Sequence, residues 1–384
     1  MTKDWKRFTI ATAQLIGSII GVGVFGVPYA LTKIGPALGV LYFVVLGGIQ
    51  LLQHLFYAEA AIACPDKLRL AGLAERYIGR RAKHVAAIST IFGYWASLLA
   101  YMIVGGTFLH ILFSPFFGGQ PFVYQVVWSV VGAGVIFFGL DIVSRIDFVA
   151  TVGLLGAMCV LIAIGVPHMQ LASFATTGVP DYILPYGVIL FSLGGLPAIL
   201  EMEDILKGRH RHYRLAVIAG TLISTVLTFT FGYVLWGVVG TAATHDAVAG
   251  LTSALGPRIT SLTAVFGFLA ISTSFFSTAI NLQSTIQYDY KFRRITAWLL
   301  TAGVPFAIFL WGAKNFISII SFSGAVFGGA SAILVAMLYI AVTKRRLVKE
   351  KPLGVPVWTA YLSMLLLSVG ALYEIGTSAA KMLR

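Results

Sequence analysis

Charge is what this chain has least of. Only 11% of its 384 residues are Asp, Glu, Lys or Arg, where a soluble domain carries about 25%. That scarcity excludes an ordinary soluble fold, and no hydrophilic stretch is long enough to form a domain of its own. Cysteine is nearly absent. Cys64 lies at the inner end of one apolar run and Cys159 inside another, so no disulfide is expected. HExxH, GxSxG, P-loop and CxxC patterns are missing, which removes the common signatures of zincins, serine hydrolases, NTPases and dithiol redox enzymes. GVGVFG (21–26) partly matches a dinucleotide fingerprint. It lies inside an apolar run with no preceding strand and no acidic partner, and is rejected on that ground.

What fills the chain is apolar sequence, 58% of all residues. Charge-free runs of membrane length mark eleven spans, at 8–31, 35–58, 85–113, 116–140, 148–167, 182–200, 215–240, 259–281, 295–312, 315–343 and 353–373. They predict an all-α polytopic membrane protein, surrounded by lipid. The net charge of +13 does not mark a nucleic-acid surface, because the basic residues lie between the apolar runs. With the N-terminus inside, 22 of the 27 Lys and Arg fall on inner segments; Lys33, Arg258, Lys314, Lys381 and Arg384 fall outside. That asymmetry predicts a cell-membrane protein with a cytoplasmic N-terminus and an extracytoplasmic C-terminus. The first apolar run is too long for a signal peptide and lacks a small-residue cleavage site, so it is expected to stay in the mature protein. In LAGLAERYIGRRAKH (70–84), Leu70, Leu73, Ala74, Tyr77 and Ile78 recur at helical spacing opposite Arg and Glu. A short helix lying at the inner membrane surface is expected there.

Two spans carry helix breakers near mid-membrane. GSIIGVGVFG (17–26) holds four glycines and no charge, and 182–204 holds Pro185, Gly187, Gly194, Gly195 and Pro197. Glycine in a helix interior costs roughly 1 kcal/mol against alanine, and an unpaired backbone group in lipid costs several times that. Such breaks survive where the freed groups meet protein, water or a solute, so both spans read as discontinuous helices built around a ligand. Gly105–Gly106 and Gly328–Gly329 read instead as close helix packing. Five spans separate the starts of the broken helices, which places those starts on opposite faces. One transmembrane domain, 1–384, then comprises a five-helix unit at 8–167, an inverted five-helix unit at 182–343, and an accessory helix at 353–373.

At these residues the chain resembles the amino acid–polyamine–organocation superfamily, and within it the aromatic and neutral amino acid permeases. The carrying stretches are IGSIIGVGVFGVPYAL (16–31), AGLAERYIGRR (71–81), ILFSLGGLPAILEMEDI (189–205) and AISTSF (270–275). The resemblance implies a leucine-transporter type fold and secondary amino acid transport. It also implies a broken-helix pair rocking against spans 3, 4, 8 and 9, with spans 5 and 10 as thin gates.

The chemistry of a zwitterion suits such breaks. A half-helix starting after a break offers unpaired N–H groups and a positive dipole end, which favours a carboxylate; Gly21, Val22 and Gly23 stand there, and Ser18 adds a hydroxyl. A half-helix ending before a break offers carbonyls to an ammonium; Phe191, Ser192 and Leu193 stand there, with Gly194 and Gly195 permitting close approach. Tyr101 matches a tyrosine of the related permeases, and is either a lid or hydrogen-bond partner for the substrate or an ordinarily packed side chain; Tyr94 and Trp95 are weaker candidates. Spans 1, 3, 6 and 8 carry no charge at mid-membrane, so a neutral substrate, apolar or aromatic, is expected.

No cofactor is expected beyond a coupling ion, Na+ or H+. In sodium-coupled relatives, span 1 carbonyls join a span 8 carbonyl and two hydroxyls; the resemblance carries this to Gly17, Ile20, Ala270, Thr273 and Ser274. Many proton-coupled relatives place a lysine on span 5, where this chain has Thr151, which favours sodium. His54, His110, Glu59 and Glu374 are the other titratable groups in or near spans, and Glu201, Glu203 and Asp204 face the basic cluster 207–214. The reading is a symporter for neutral amino acids working by alternating access, with an ion-independent exchanger and a non-transporting amino acid sensor as alternatives. Nothing in the sequence fixes an oligomeric state.

Overall fold

Apolar runs become helices here because a chain in lipid has no other way to pair its backbone within one segment. The computed structural model of the protein describes residues 3–64, 66, 68–138, 143–176, 181–206, 208–240, 243, 256–348 and 353–382. Among them, seven helices are long and apolar enough to cross a membrane: Pro36–Ala63, Arg80–Phe117, Ile183–Leu206, His210–Val239, Ile259–Gln287, Phe316–Lys344 and Val357–Ala380. A bent pair, Asp4–Ile19 and Val22–Leu31, makes an eighth, and three shorter apolar helices, Pro121–Phe137, Val152–His168 and Arg294–Leu310, fill the remaining expected stretches. The span numbers used above therefore carry over.

The two interruptions differ in shape. Span 1 ends its first helix, Lys3–Ile19, passes through an extended Gly21 (φ −124°, ψ −152°), and resumes as a 3₁₀ turn, Val22–Gly26, followed by Val27–Leu31. Its halves are bent by 46°. Span 6 breaks between Ile183–Ser192 and Leu196–Leu206, without a bend as large as that of span 1. Span 10 contains a wider π-helical turn, Ser323–Gly328, between Phe316–Phe322 and Gly329–Lys344. Such turns recur where a helix must present backbone or side chains to a site.

Close packing holds the broken helices in place. The Phe25 ring sets its edge to Phe108 and Phe231, at 5.1 and 6.0 Å between centroids, and all three are buried. Side chains added at Gly187 or Gly324 would overlap the facing backbone, so spans 6 and 10 meet backbone to backbone. Span 11 lies against this bundle: Tyr186 donates to the Leu367 carbonyl (3.3 Å), and Gln53 donates to Ser363 (3.1 Å).

The inner helix, Leu70–Tyr77, forms as expected but not where expected. Its apolar face, Leu70, Leu73, Ala74 and Tyr77, is buried against spans 3 and 10 rather than turned to lipid. Gly79, at φ +138°, supplies the left-handed turn that folds it back onto span 3.

Several of the inner charges form pairs. Arg214 donates two-handedly to Glu59 (2.8–3.0 Å), whose side chain is 2% exposed against 13% for Arg214. The Leu353 N–H donates to the same carboxylate (3.0 Å), tying the approach to span 11 onto spans 2 and 7. Arg209 pairs with Asp4 (2.8 Å), and Glu201 accepts from Gln14 (2.9 Å). Lys207 lies outside the described residues. Removing one partner of a buried pair strands the other charge, at about 3–5 kcal/mol. Glu59→Gln should therefore lower the thermal unfolding midpoint in detergent clearly, and the double variant Glu59→Met with Arg214→Met should recover most of the loss.

Candidate substrate site

Breaking span 1 frees specific backbone groups. The Ile20 N–H still reaches the Ile16 carbonyl (2.9 Å), the Gly21 N–H turns back to Ile19 (3.0 Å), and the Val24 N–H donates to Gly21 (3.4 Å). Among the described residues, no backbone donor reaches the carbonyls of Gly17, Ser18 or Ile20, and the N–H groups of Val22 and Gly23 find no backbone acceptor. The Gly21 N–H, expected to face a carboxylate, is thus already spent. In span 6 the Leu193 N–H donates to Ile189 (3.0 Å) and the Gly194 N–H to Phe191 (3.2 Å), while the carbonyls of Ser192 and Leu193 accept no backbone bond among the described residues.

The two breaks touch. A methyl group added at Gly23 would lie 2.7 Å from Ser192 Oγ, 2.8 Å from Ser192 Cα and 2.9 Å from the Phe191 ring. One added at Gly195 would lie 2.6 Å from Ile19. The glycines are needed here for approach: neither break holds a glycine in the left-handed region.

A cavity of about 490 Å³ begins at this junction and runs to Cys64, Asp66, Arg69 and Asp204, on the side that carries the basic connecting segments. Seven of the ten expected substrate residues line it: Ser18, Gly21, Val22, Tyr101, Phe191, Gly194 and Gly195. Gly23, Ser192 and Leu193 do not. They are packed behind the wall, with the Ser192 hydroxyl donating to the Val188 carbonyl of its own helix (2.7 Å). Tyr101 is turned toward the break, its hydroxyl 3.2 Å from the position a Gly21 methyl would take, within hydrogen-bonding reach of Ser274 and Thr278. On the opposite side the path is sealed by Phe25, Phe108 and Phe231, and by Ile317 and Ile320 packed on Gly26.

A second cavity of about 60 Å³ lies beside the first, between spans 1, 6 and 8. Of the five expected cation ligands, Gly17 and Ser274 line it, together with Gln14, Glu201, Ser277 and Asn281. Ile20 and Ala270 are buried outside it, and the Thr273 hydroxyl donates to the Ala270 carbonyl (2.8 Å).

The other titratable candidates do not line either cavity. His54 is fully buried with Nδ1 against the Thr221 hydroxyl (2.9 Å), His110 packs on the Tyr124 ring, and Glu374 is buried in span 11. The side chain of Thr151 lies outside the described residues. Trp95 donates to the Leu300 carbonyl (2.9 Å) and packs away from the cavity, whereas Tyr94 lines it. Gln50, Ser97, Thr278, Ser323 and Phe327 also line the larger cavity. The isolated amide in VLGGIQLL (45–52) was the one signal in the sequence that pointed to any of them.

The geometry is shared with proteins of known structure. MhsT, crystallised with L-phenylalanine, superposes with a TM-score of 0.65 at 16% identity, covering 95% of this chain and 98% of that one. The manganese transporter of Eremococcus coleocola, in complex with an aromatic bis-isothiourea compound, superposes at 0.73 with 14% identity, covering 100% and 89%. These establish the fold, and since one was solved with an amino acid and the other is named for a metal, they leave the cargo open. In sequence, Tyrosine-specific transport system 1 of Haemophilus influenzae is 24% identical over 350 residues, covering 84% of this chain and 85% of that protein. Residues 5–375 match the tryptophan/tyrosine permease family, a match that takes in both breaks and the whole cavity, and the chain belongs to that family.

Proposed function

We propose that this permease carries aromatic amino acids across the cell membrane by alternating access, with a sodium gradient as the driving force. The observation that carries the reading is the meeting of two broken helices at the head of a one-sided cavity. There the Val22 N–H and the Ser18 and Tyr101 hydroxyls would take the carboxylate. The carboxyl end of Ile183–Ser192, negative by its helix dipole, would attract the ammonium, although Ser192 and Leu193, whose carbonyls accept no backbone bond among the described residues, do not themselves line the cavity. Phe191, Tyr94 and Phe327 give the rest of the chamber an aromatic lining. The superfamily kinship, the inverted five-helix units at 8–167 and 182–343, and a cytoplasmic N-terminus belong to the same reading; with that orientation the cavity opens inward.

Sodium fits the freed oxygens. The break leaves the Gly17 and Ile20 carbonyls without backbone donors, and the Thr273 hydroxyl, having given its proton to Ala270, keeps lone pairs to offer. With the Ser274 hydroxyl and the Ala270 carbonyl these would make a neutral oxygen set suited to a hard monovalent cation; of the five, Gly17 and Ser274 line the small cavity.

Uptake of labelled tyrosine, tryptophan and phenylalanine into proteoliposomes, with sodium and pH gradients imposed separately, tests the reading. Saturable uptake that accelerates with inward sodium is expected. Uptake indifferent to sodium and abolished by collapsing the pH gradient would overturn the ion assignment, and binding without counterflow would overturn transport itself. The two break glycines should respond unequally. Gly23→Ala forces a methyl into Ser192 and Phe191 and should reduce uptake at least about tenfold, since overpacking costs roughly 1–3 kcal/mol. Gly194→Ala meets the Phe191 and Leu190 carbonyls at 3.3 and 3.6 Å and should be far milder, as measured by uptake normalised to reconstituted protein.

A further inference from the structure

Two polar side chains in the larger cavity are almost wholly enclosed, and each keeps an oxygen with no hydrogen-bond partner among the described residues. Gln50, on span 2, is 8% exposed, and Ser323, at the start of the π-helical turn of span 10, is 3% exposed. The Gln50 amide nitrogen donates to the Leu190 carbonyl at 3.0 Å. A carbonyl only accepts, so this bond fixes which end of the amide is nitrogen and turns the oxygen away from span 6. That oxygen has no hydrogen-bond donor among the described residues, and it is not one of the fully sealed polar atoms. Since Gln50 lines the cavity, its oxygen is reached from there. The Ser323 hydroxyl is in the same position, unpartnered among the described residues and facing the same space.

Both residues flank the last turn of the first half of span 6. Gln50 holds Leu190, and Ser323 precedes Gly324, which abuts Phe191. Leu190 lies three residues before Leu193, about 4.5 Å along the helix axis, so the amide oxygen stands one turn away from the carbonyls assigned to the ammonium. Phe191, Phe327 and Tyr94 line the same cavity. An acceptor one helical turn from the carbonyls at the span 6 break, in a cavity with this aromatic lining, is placed for the tip of a planar side chain rather than for the zwitterion.

Resting on the reading of this protein as an aromatic amino acid permease, we infer that Gln50 determines specificity: its side-chain oxygen accepts a hydrogen bond from the ring N–H or O–H of the substrate, with Ser323 as a second contact. The site selects indole and phenol side chains over a bare phenyl ring. A buried acceptor that a substrate leaves unpaired penalises that substrate, whereas a merely apolar slot discriminates weakly.

The test compares uptake efficiency (kcat/KM) within each protein for four substrates: tyrosine, phenylalanine, tryptophan, and 3-benzothienylalanine, in which sulfur replaces the indole N–H. Wild type should favour tyrosine over phenylalanine, and tryptophan over its sulfur isostere, by about tenfold. Gln50→Leu and Gln50→Met should shrink both ratios toward unity, and Ser323→Ala should shrink them in part. Gln53→Leu, which removes a buried amide that does not line the cavity, should leave them intact. Because the ratios are internal to each preparation, a fall in folded protein does not mimic the effect, and the wild-type ratios stand as a test even where a variant fails to fold. Wild-type ratios near unity, or ratios that survive in both Gln50 variants, would overturn the inference. So would an equal loss for all four substrates, which would assign Gln50 to the ammonium or to packing. Wild type carrying none of the four while exchanging other amino acids would overturn the aromatic reading itself, a different result from unity ratios.

Discussion

A peptide group inside a bilayer has no water to fall back on, and the rest of this structure follows from how that constraint is met at two places. Along most of the described helices the backbone pairs within its own segment. At Gly17–Gly23 and Ser192–Gly195 the pairing stops, leaving three carbonyls of span 1, two N–H groups, and two carbonyls of span 6 without backbone partners among the described residues. These groups lie at the junction where the cavity of about 490 Å³ begins. A break that were only a packing accident would be expected to close on protein. This one opens onto space of the size a small ligand occupies.

Glycine serves that junction in an uncommon way. Neither break uses a left-handed conformation, so a larger residue would be tolerated by the torsion angles alone. What forbids it is neighbours: Ser192 and Phe191 at Gly23, Ile19 and Leu15 at Gly195, Tyr101 at Gly21. The breaks are therefore set by the fit of one half of the chain to the other, and each half-helix is held in its unwound form by its counterpart. That mutual dependence lets one bound solute contact both spans at once, and gives a solute leverage over their relative position.

Much of this was legible from residue order. Helix breakers flanked by uninterrupted apolar residues are conspicuous, because lipid tolerates so few alternatives, and eleven apolar runs map onto eleven helical stretches. Side-chain direction was less legible. The apolar stripe Leu70–Tyr77 was visible, but whether it met lipid or protein depended on the turn at Gly79. Arg214 had several carboxylates nearby in sequence and found Glu59, 155 residues away. Gly23, Ser192 and Leu193 were placed correctly on the breaks, yet face each other rather than the cavity, a distinction that needs the angle between two helices. Gln50 and Ser323 were lost among apolar neighbours because a single polar residue in a span has several uses, of which interhelical bonding is the commonest.

The asymmetry of the cavity connects these details to motion. Toward the basic face it is wide and lined by charged and hydroxyl groups; toward the other face it is closed by interlocked rings and by isoleucines on Gly26. Opening the sealed side requires parting Phe25 from Phe108 and Phe231, and so displacing the second half of span 1. The first half is joined to it only through the extended Gly21, which carries no side chain and one short backbone bond, a natural pivot between two rigid segments. Span 6 is less sharply bent, and its first half is pinned backbone to backbone on the π-helical turn of span 10. Movement of span 6 must therefore carry span 10 with it. The Glu59–Arg214 pair binds spans 2 and 7, which pack on one another, into the same inner framework, so the moving parts are fewer than eleven helices would suggest: a bending span 1, and a larger body that shifts around it.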